Sequence, residues 1–232
     1  MRPVFVIDVN KCVGCRACVA ACIIEHGQVF TAAKPSNRGK PQTVKLRTWV
    51  EWREESNGKP SRKFVSSLCY HCEDAPCQRV CPTGATYKTP EGVVLVNKDL
   101  CIGCGYCIIA CPYGSRYRPE PHEWHEAENK PLVKEVEPAT QYGGVLFKPP
   151  VPNKWAFRVD AVDKCTFCYH RYKGDGKLWS PACVEVCPTG SRMFGDLDNP
   201  NDPVAELVRG GVAKLARPDL KTGGRVYYVG GL

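Results

Sequence analysis

The chain has 232 residues, of which 24% are charged, 43% hydrophobic and 9% aromatic, and this composition excludes intrinsic disorder and a collagen-like repeat. No apolar run approaches the roughly 18 residues that a membrane-spanning helix needs, so we expect no direct membrane span. The formal net charge is +8, but Lys and Arg form no dense run, so we expect no nucleic-acid partner.

Short strands and short helices are predicted along the chain, with two irregular segments between them. Segments rich in β-branched and aromatic residues predict strands over 4–9, 44–51, 63–67, 93–96 and 156–161. We expect a short helix after the third cysteine of each Cys-rich group, and the first helix continues toward His26 because Ile23 replaces the proline found in related segments. Residues 31–42 predict an exposed loop. The proline-rich segment 119–155 predicts a long insertion, which either contacts a partner or covers its own domain.

The sixteen cysteines fall into four groups of four, with none left over. We number these groups as quartet I (Cys12, Cys15, Cys18, Cys22), quartet II (Cys69, Cys72, Cys77, Cys81), quartet III (Cys101, Cys104, Cys107, Cys111) and quartet IV (Cys165, Cys168, Cys183, Cys187). Quartets I and III read C-x2-C-x2-C-x3-C, which is the spacing of bacterial 4Fe-4S ferredoxins. In that arrangement the fourth cysteine binds a second cluster, so the quartets must work in pairs.

Disulfides and structural zinc account for the cysteines less well. Eight disulfides would suit the even count, but C-x2-C pairs are poor disulfide partners, and a chain of this length can build a hydrophobic core without them. Structural zinc would accept four cysteines, but its ligands come as separated pairs and not as one continuous C-x2-C-x2-C-x3-C run. Iron–sulfur clusters therefore explain the pattern best.

The chain contains an internal repeat, in which residues 7–15 resemble 96–104 and residues 75–84 resemble 181–190. We therefore predict an α+β fold of tandem bacterial-type ferredoxin-like modules, each with two 4Fe-4S clusters, related by a pseudo-twofold repeat and carrying long loop insertions. Quartets II and III form module B over residues 69–118. Module A combines quartet I, in residues 1–68, with quartet IV, in residues 156–232, so the two ends of the chain must meet. The insertion 119–155 lies between them.

Oxidised cores of about +2 each and sixteen thiolates together contribute about −8, so the loaded protein is close to neutral. Lys11, Lys98 and Lys164 lie near the starts of quartets, where they either raise cluster potentials or occupy solvated strand ends. His71 and His170 are candidates for tuning a potential through a hydrogen bond to sulfur, with plain packing as the alternative; we do not expect them to be ligands. No nucleophile–base pair or phosphate-binding loop is present, so we expect no catalytic residues.

The quartet order, with C-x2-C-x4-C-x3-C-P as the second group and C-x2-C-x14-C-x3-C-P as the fourth, resembles a known family. That family comprises the four-cluster iron–sulfur subunits of membrane-associated molybdopterin oxidoreductases, a group that includes polysulfide, thiosulfate, tetrathionate, arsenate and dimethyl sulfoxide reductases. The resemblance covers nearly the whole chain and is specific for the type of subunit and not for the substrate.

The resemblance implies four ligand sets, which we call sets 1 to 4. Set 1 is Cys12, Cys15, Cys18 and Cys187; set 2 is Cys165, Cys168, Cys183 and Cys22; set 3 is Cys69, Cys72, Cys77 and Cys111; set 4 is Cys101, Cys104, Cys107 and Cys81. It implies that set 1 is nearest the catalytic subunit and set 4 nearest the membrane anchor. Some relatives replace one ligand of the last set by Trp, but Cys104 is present here, so four cubanes are expected. The molybdenum or tungsten bis-molybdopterin cofactor is expected only in the partner subunit.

The expected function is the relay of single electrons between a catalytic molybdopterin subunit and a quinol-reactive membrane subunit or a cytochrome. Alternatives are an iron–sulfur subunit of a hydrogenase or formate dehydrogenase complex, a free polyferredoxin, or a zinc-bound scaffold. The sequence begins without a recognisable export signal or twin arginine. On this ground alone the chain either stays in the cytoplasm or is exported with a partner. The resemblance implies the second, a location in the periplasm or on the outer face of the cytoplasmic membrane, through export attached to a catalytic partner that bears a twin-arginine signal.

Overall fold

The computed structural model describes residues 1–27, 46–56, 60–119, 151–155, 158 and 160–231. The loop predicted over 31–42 lies outside these residues, and so does most of the insertion predicted over 119–155.

Short strands and short helices alternate along the described chain. The strands are β1 (Pro3–Asp8), β2 (Thr48–Ser56), β3 (Pro60–Leu68), β4 (Thr86–Lys88), β5 (Val94–Val96), β6 (Arg192–Asp196), β7 (Lys214–Leu215) and β8 (Val226–Val229). The helices are α1 (Ala17–His26), α2 (Pro76–Arg79), α3 (Tyr106–Ile109), α4 (Ala182–Glu185) and α5 (Pro203–Arg209).

A four-stranded sheet joins the two ends of the chain. Its strand order is β6-β1-β8-β7, in which β1 pairs antiparallel with β6 and parallel with β8. Two further sheets in the described part of the chain are antiparallel pairs, β2 with β3 and β4 with β5. Because β1 leads into quartet I and β6 follows quartet IV, the sheet brings these two quartets together.

Strand β1 is buried along its whole length because its side chains alternate between two apolar clusters. Phe5 and Ile7 pack into the main core, which also contains many of the cysteines. Val4 and Val6 face the other way and pack with Val204 of α5. The strand therefore ties the cysteine-rich core to the C-terminal helix.

Each quartet carries a helix that begins near its third cysteine and includes that cysteine, whereas the sequence predicted a start after it. In α1 this places Cys18 and Cys22 one turn apart on the same helix. As predicted, α1 continues to His26, where Gly27 takes a left-handed conformation (φ 57°) and closes the helix.

The strand predictions are partly confirmed. Those over 4–9, 63–67 and 93–96 correspond to β1, β3 and β5, and the one over 44–51 overlaps β2. The strand predicted over 156–161 is wrong at residues 158, 160 and 161, which form no strand; Arg158 bonds the nearby carboxylate of Asp160 at 2.5 Å instead. The sequence missed β4, β6, β7 and β8, which are all five residues or fewer.

Candidate metal centres

The loops between the first and second cysteines of quartets I and III pack too tightly for side chains at their glycines. Gly14 has φ 70°, and a Cβ there would lie 2.4 Å from the Phe64 ring. Gly103 has φ 65°, and a Cβ there would lie 2.5 Å from the backbone oxygen of Asp160. Both positions therefore require glycine, because each combines a left-handed conformation with a close approach.

The four thiols predicted as set 1 line one cavity, although Cys187 lies far along the chain from the other three. Ser66 and Arg192 share its wall. Cys15 is exposed and Cys18 is buried, so the cavity reaches from the core to the surface.

The four thiols predicted as set 3 line a second cavity, together with His71 and Arg116. Cys69, Cys72 and Cys77 are buried there. Burial raises the pKa of the Cys72 thiol to about 11. An anionic ligand at this depth therefore depends on a cationic metal core to stabilise it.

The thiols predicted as set 2 interact electrostatically, and helices α1 and α4, which carry Cys22 and Cys183, are in contact. All four are buried. Burial raises the pKa of Cys22 well above its usual value, and the thiols of Cys165, Cys168 and Cys183 raise it further. The two ends of the chain therefore bring one cysteine of quartet I among three of quartet IV.

The thiols predicted as set 4 lie on and around α2 and α3, which pack against each other. Burial raises the pKa of Cys107, and the neighbouring Cys101 thiol contributes to this rise. Cys104 is exposed. The Sγ of Cys81 accepts a hydrogen bond from the backbone N–H of Thr86 at 3.4 Å.

Several buried N–H groups around the cysteines have no hydrogen-bond partner among the described residues. They are His71 Nε2 and the Nε and Nη2 atoms of Arg116 and Arg192. Arg116 and Arg192 line the two cavities, and His71 lines the cavity of set 3. Four thiols and unpaired donors around one cavity fit a 4Fe-4S cluster, whose sulfur atoms accept hydrogen bonds.

The candidate tuning residues lie in different surroundings. Lys11 is 57% exposed and lies 3.8 Å from the Asp8 carboxylate, as a solvated strand end would. Lys98 and Lys164 are buried, so the solvated alternative is wrong for both. Lys98 bonds the Asp163 carboxylate at 2.8 Å, and Lys164 donates to the backbone oxygen of Cys165 at 2.7 Å.

The two candidate histidines also differ. His71 is fully buried, and its Nδ1 accepts a hydrogen bond from the backbone N–H of Val94 at 3.0 Å. Burial lowers the pKa of the ring well below its usual value and keeps it neutral, so the proton is on Nε2. The Nε2 of His170 instead lies 2.7 Å from the carboxylate of Glu25.

The structure adds functional candidates that the sequence analysis missed. His26 Nε2 lies 3.6 Å from Cys168 Sγ, and its Nδ1 lies 2.6 Å from Arg47 Nη1. Arg47 in turn forms two bonds, at 2.8 and 2.9 Å, with the carboxylate of Asp163. His26 lies four residues after Cys22 on the same helix face, and this spacing was a signal that it lies near a cluster ligand. Nothing in the sequence indicated that Arg47 contacts His26 and Asp163.

The fold and the cavities define a ferredoxin-type protein with several 4Fe-4S clusters. Three family models described as 4Fe-4S dicluster domain match residues 11–85, 61–128 and 100–192. These matches confirm the tandem ferredoxin-like architecture. They also indicate that the cysteines of this chain bind about four 4Fe-4S clusters.

Curated relatives are similar over almost the whole chain. It is 36% identical to the arsenate respiratory reductase iron–sulfur subunit of Shewanella sp. (strain ANA-3), over 99% of this chain and 96% of that one. It is 36% identical to a subunit of the selenate reductase of Mesobacillus selenatarsenatis, over 97% of this chain and 71% of the relative. It is 33% identical to a component of the polysulfide reductase of Wolinella succinogenes, over 87% and 80%.

The chain therefore belongs to the family of 4Fe-4S iron–sulfur subunits of multisubunit molybdopterin reductases, which confirms the resemblance. It is an electron-transfer subunit and not the catalytic one. Among the described residues, no helix is long and apolar enough to cross a membrane.

Proposed function

We propose that this chain relays single electrons through four 4Fe-4S clusters between a catalytic molybdopterin subunit and a quinol-reactive membrane subunit or a cytochrome. The catalytic partner would be a respiratory reductase of a sulfur or arsenic oxyanion, of polysulfide or of an S-oxide. Each cluster, when bound, supplies a site for one electron, and the protein determines its spacing and potential.

The ligand sets proposed are those of the sequence analysis. Set 1 and set 3 are supported by the two cavities, each lined by all four thiols of one set. Set 2 is supported by the effect of Cys165, Cys168 and Cys183 on the pKa of Cys22. Set 4 is supported by the effect of Cys101 on the pKa of Cys107 and by the packing of α2 against α3.

The observation that carries the relay is that thiols of successive sets lie close enough to interact electrostatically, in numerical order. Burial raises the pKa of Cys183 in set 2, and the Cys18 thiol of set 1 raises it further. Burial raises the pKa of Cys165 in set 2 to about 12, with a contribution from Cys69 of set 3. The pKa of Cys107 in set 4 is raised in the same way by burial and by Cys77 of set 3.

The exposure of the thiols supports the same order. All four thiols of set 2 and three of set 3 are buried, whereas set 1 and set 4 each contain one exposed thiol, Cys15 and Cys104. A relay needs protected inner sites and two ends that partners can approach. The sets at the ends of the series are the ones with an exposed ligand.

We also propose that modules A and B are related by a pseudo-twofold repeat, with the boundaries and insertions given above. Matched backbone conformations support it. Gly14 in quartet I and Gly103 in quartet III both have positive φ, and so do Arg16 (φ 60°) and Gly105 (φ 80°) two residues later.

The proposed membrane-side partner binds at an apolar patch around Cys104. We define this patch by four side chains that are at least half exposed, namely Leu100, Ile102, Tyr106 and Ile109. Large exposed apolar patches mark interaction sites. We propose that the complex lies on the outer face of the cytoplasmic membrane, where the chain arrives by export with its catalytic partner.

Metal analysis with a reductive EPR titration of the anaerobically purified native complex tests the proposal. We expect about sixteen irons per copy of this chain, besides any iron of the partner, and one molybdenum or tungsten. Iron without molybdenum or tungsten would favour a hydrogenase partner or a free ferredoxin. Zinc in place of iron would contradict electron transfer altogether.

A further inference from the structure

Two segments of the chain share a motif that extends beyond the cysteine ligands. Residues 111–116 and 187–192 both read Cys-Pro-x-Gly-Ser-Arg, so that Arg116 and Arg192 each lie five residues after the last cysteine of a quartet. The corresponding segment of quartet II, residues 81–86, ends in Thr86. An arginine therefore recurs once in module A and once in module B.

Both arginines are almost fully buried, with exposures of 1% for Arg116 and 2% for Arg192. In each guanidinium, the Nη1 atom donates hydrogen bonds to neighbouring hydroxyl groups. Arg116 Nη1 donates to Thr86 Oγ1 at 3.0 Å, and Arg192 Nη1 donates to Thr48 Oγ1 at 2.9 Å and to Ser66 Oγ at 2.5 Å. No oxygen or nitrogen acceptor among the described residues pairs with their Nε and Nη2 atoms, and the side chains that interact with these guanidiniums there are the thiols of Cys107 and Cys18.

Arg192 interacts with thiols of two ligand sets. It lines the cavity of set 1. Burial lowers the pKa of its guanidinium, but the thiols of Cys183, Cys18 and Cys165 outweigh burial and hold the pKa above its usual value. The charge therefore faces Cys18 of set 1 and Cys183 and Cys165 of set 2.

Arg116 occupies the equivalent place in module B. It lines the cavity of set 3. Burial lowers its pKa, and the thiols of Cys77, Cys107 and Cys69 raise it above the usual value. Its charge therefore faces Cys77 and Cys69 of set 3 and Cys107 of set 4.

A buried guanidinium with unpaired N–H groups is costly unless an anion compensates it. A cubane with four thiolates is such an anion, with a charge of about −2 when oxidised and about −3 when reduced. A fixed positive charge between two of them stabilises the reduced form of both, because the gain grows with the negative charge.

We propose that Arg116 and Arg192 are inter-cluster cations, which donate hydrogen bonds through Nε and Nη2 to cluster sulfur atoms and raise the reduction potentials of both clusters in their module. The inference rests on the ligand sets of the proposed function. Arg192 acts on the clusters of sets 1 and 2, and Arg116 acts on those of sets 3 and 4. Both are positioning residues, since neither is a ligand.

The test is an EPR-monitored redox titration of the intact complex carrying Arg192→Gln or Arg116→Gln. Each substitution is expected to lower two of the four reduction potentials. The expected size for each of the two clusters is about a tenfold change in the equilibrium constant for reduction, which corresponds to about 59 mV for one electron. The two substitutions are expected to affect complementary pairs. Arg192→Lys and Arg116→Lys, which keep the charge, should restore most of each shift.

Two exposed arginines serve as matched controls. Arg16 lines the cavity of set 1 from the solvent side, and Arg118 lies beside Gly103 in quartet III. Because water screens their charges, Arg16→Gln and Arg118→Gln should shift the potentials much less.

A shift in only one cluster, an equal shift in all four, no shift, or no recovery in the Lys variants would overturn the inference. If a Gln variant loses iron, the direct contact between arginine and cluster is tested in the wild-type complex instead, with arginine labelled with the heavy nitrogen isotope. Hyperfine coupling between that nitrogen and a reduced cluster is expected, and its absence would overturn the direct contact. The iron content and cluster count of the wild type test the proposed function separately.

Discussion

His26 and Cys168 approach each other within 3.6 Å, measured from ring Nε2 to thiol Sγ, although 142 residues separate them in the sequence. The other ring nitrogen, Nδ1, lies 2.6 Å from Nη1 of Arg47. A guanidinium donates hydrogen bonds and never accepts them, so Nδ1 is the acceptor and carries no proton. Burial and the charge of Arg47 lower the pKa of His26 well below its usual value, which keeps the ring neutral. The remaining proton is therefore on Nε2 and points to the sulfur of Cys168.

Replacing His26 by Phe is expected to lower the potential of one cluster, the one assigned to set 2. Phenylalanine keeps a ring of similar shape, but the N–H donor to Cys168 is lost. Because that hydrogen bond stabilises the more negative, reduced state of the cluster, its loss lowers the reduction potential. A hydrogen bond worth about 1 kcal/mol corresponds to a shift of about 40 mV for one electron. An EPR-monitored redox titration measures this shift.

His170→Phe is the matched control, because His170 Nε2 faces Glu25 and not a thiol. It should shift the same potential less. Equal shifts in the two variants would contradict a specific role of the bond from His26 to Cys168.

Replacing Cys183 by Ala is expected to remove one cluster, about four irons per chain, and to stop turnover with quinol. In the proposed relay set 2 lies inside the series, so electrons from the membrane side would have no other route. Turnover with a soluble donor that reduces the catalytic subunit directly should persist. Parallel assays with the two donors on the purified complex, alongside iron analysis, measure the difference.

Val186→Ala, which changes an exposed side chain just after α4, is the matched control and should retain full iron and quinol turnover. Quinol turnover that survives the loss of the set 2 cluster would rule out a linear relay.

The spacing of the cysteines was sufficient to predict the quartets and the helices beside them, and the apolar run before Cys12 predicted strand β1, because these features depend on residues close in sequence. The arrangement around Asp163 was not predictable in this way. Its partner Arg47 is 116 residues distant, and no local pattern indicates such a pairing. Short strands such as β6 carry too few residues for an alternation to stand out.

The repeated Cys-Pro-x-Gly-Ser-Arg segments that end at Arg116 and Arg192 are visible in the sequence, but their burial is not. Arginine is almost never fully buried without a partner, so the sequence alone favours exposed side chains at both positions. Only the structure revealed that both arginines are buried. Burial also reversed one interpretation of Lys98 and Lys164, because a place beside a quartet says nothing about exposure.

Replacing Ile109 by Asp is expected to weaken attachment of the subunit to its membrane-side partner. Ile109 is 85% exposed in the apolar patch around Cys104, so the substitution leaves the core intact and introduces a charge where apolar contact is proposed. Co-purification of the complex from membranes, with quinol turnover, measures the loss.

Val212→Asp places the same charge at an exposed valine outside the patch. This variant should co-purify normally. If the two variants behave alike, the patch is not the contact surface.

Replacing Asp163 by Asn is expected to destabilise the protein strongly. The carboxylate of Asp163 is 1% exposed and bonds Arg47 and Lys98 at 2.8 Å, and it accepts a hydrogen bond from the Tyr117 hydroxyl at 3.1 Å. Removing one partner of a buried ion pair costs roughly 3–5 kcal/mol, because the remaining charges stay buried without compensation. The rate at which the clusters lose their visible absorbance on anaerobic heating measures the effect, since such unfolding is irreversible.

The matched control is Asp219→Asn, which breaks the exposed pair between Asp219 and Arg217, 2.7 Å apart. Exposed pairs of this kind contribute little to stability, so cluster loss in this variant should follow the wild-type time course. Since Lys98 lies just before quartet III and Asp163 just before quartet IV, the Asp163 variant should release iron from both modules and not from one. Selective loss from a single module would contradict the view that this ion pair joins the two.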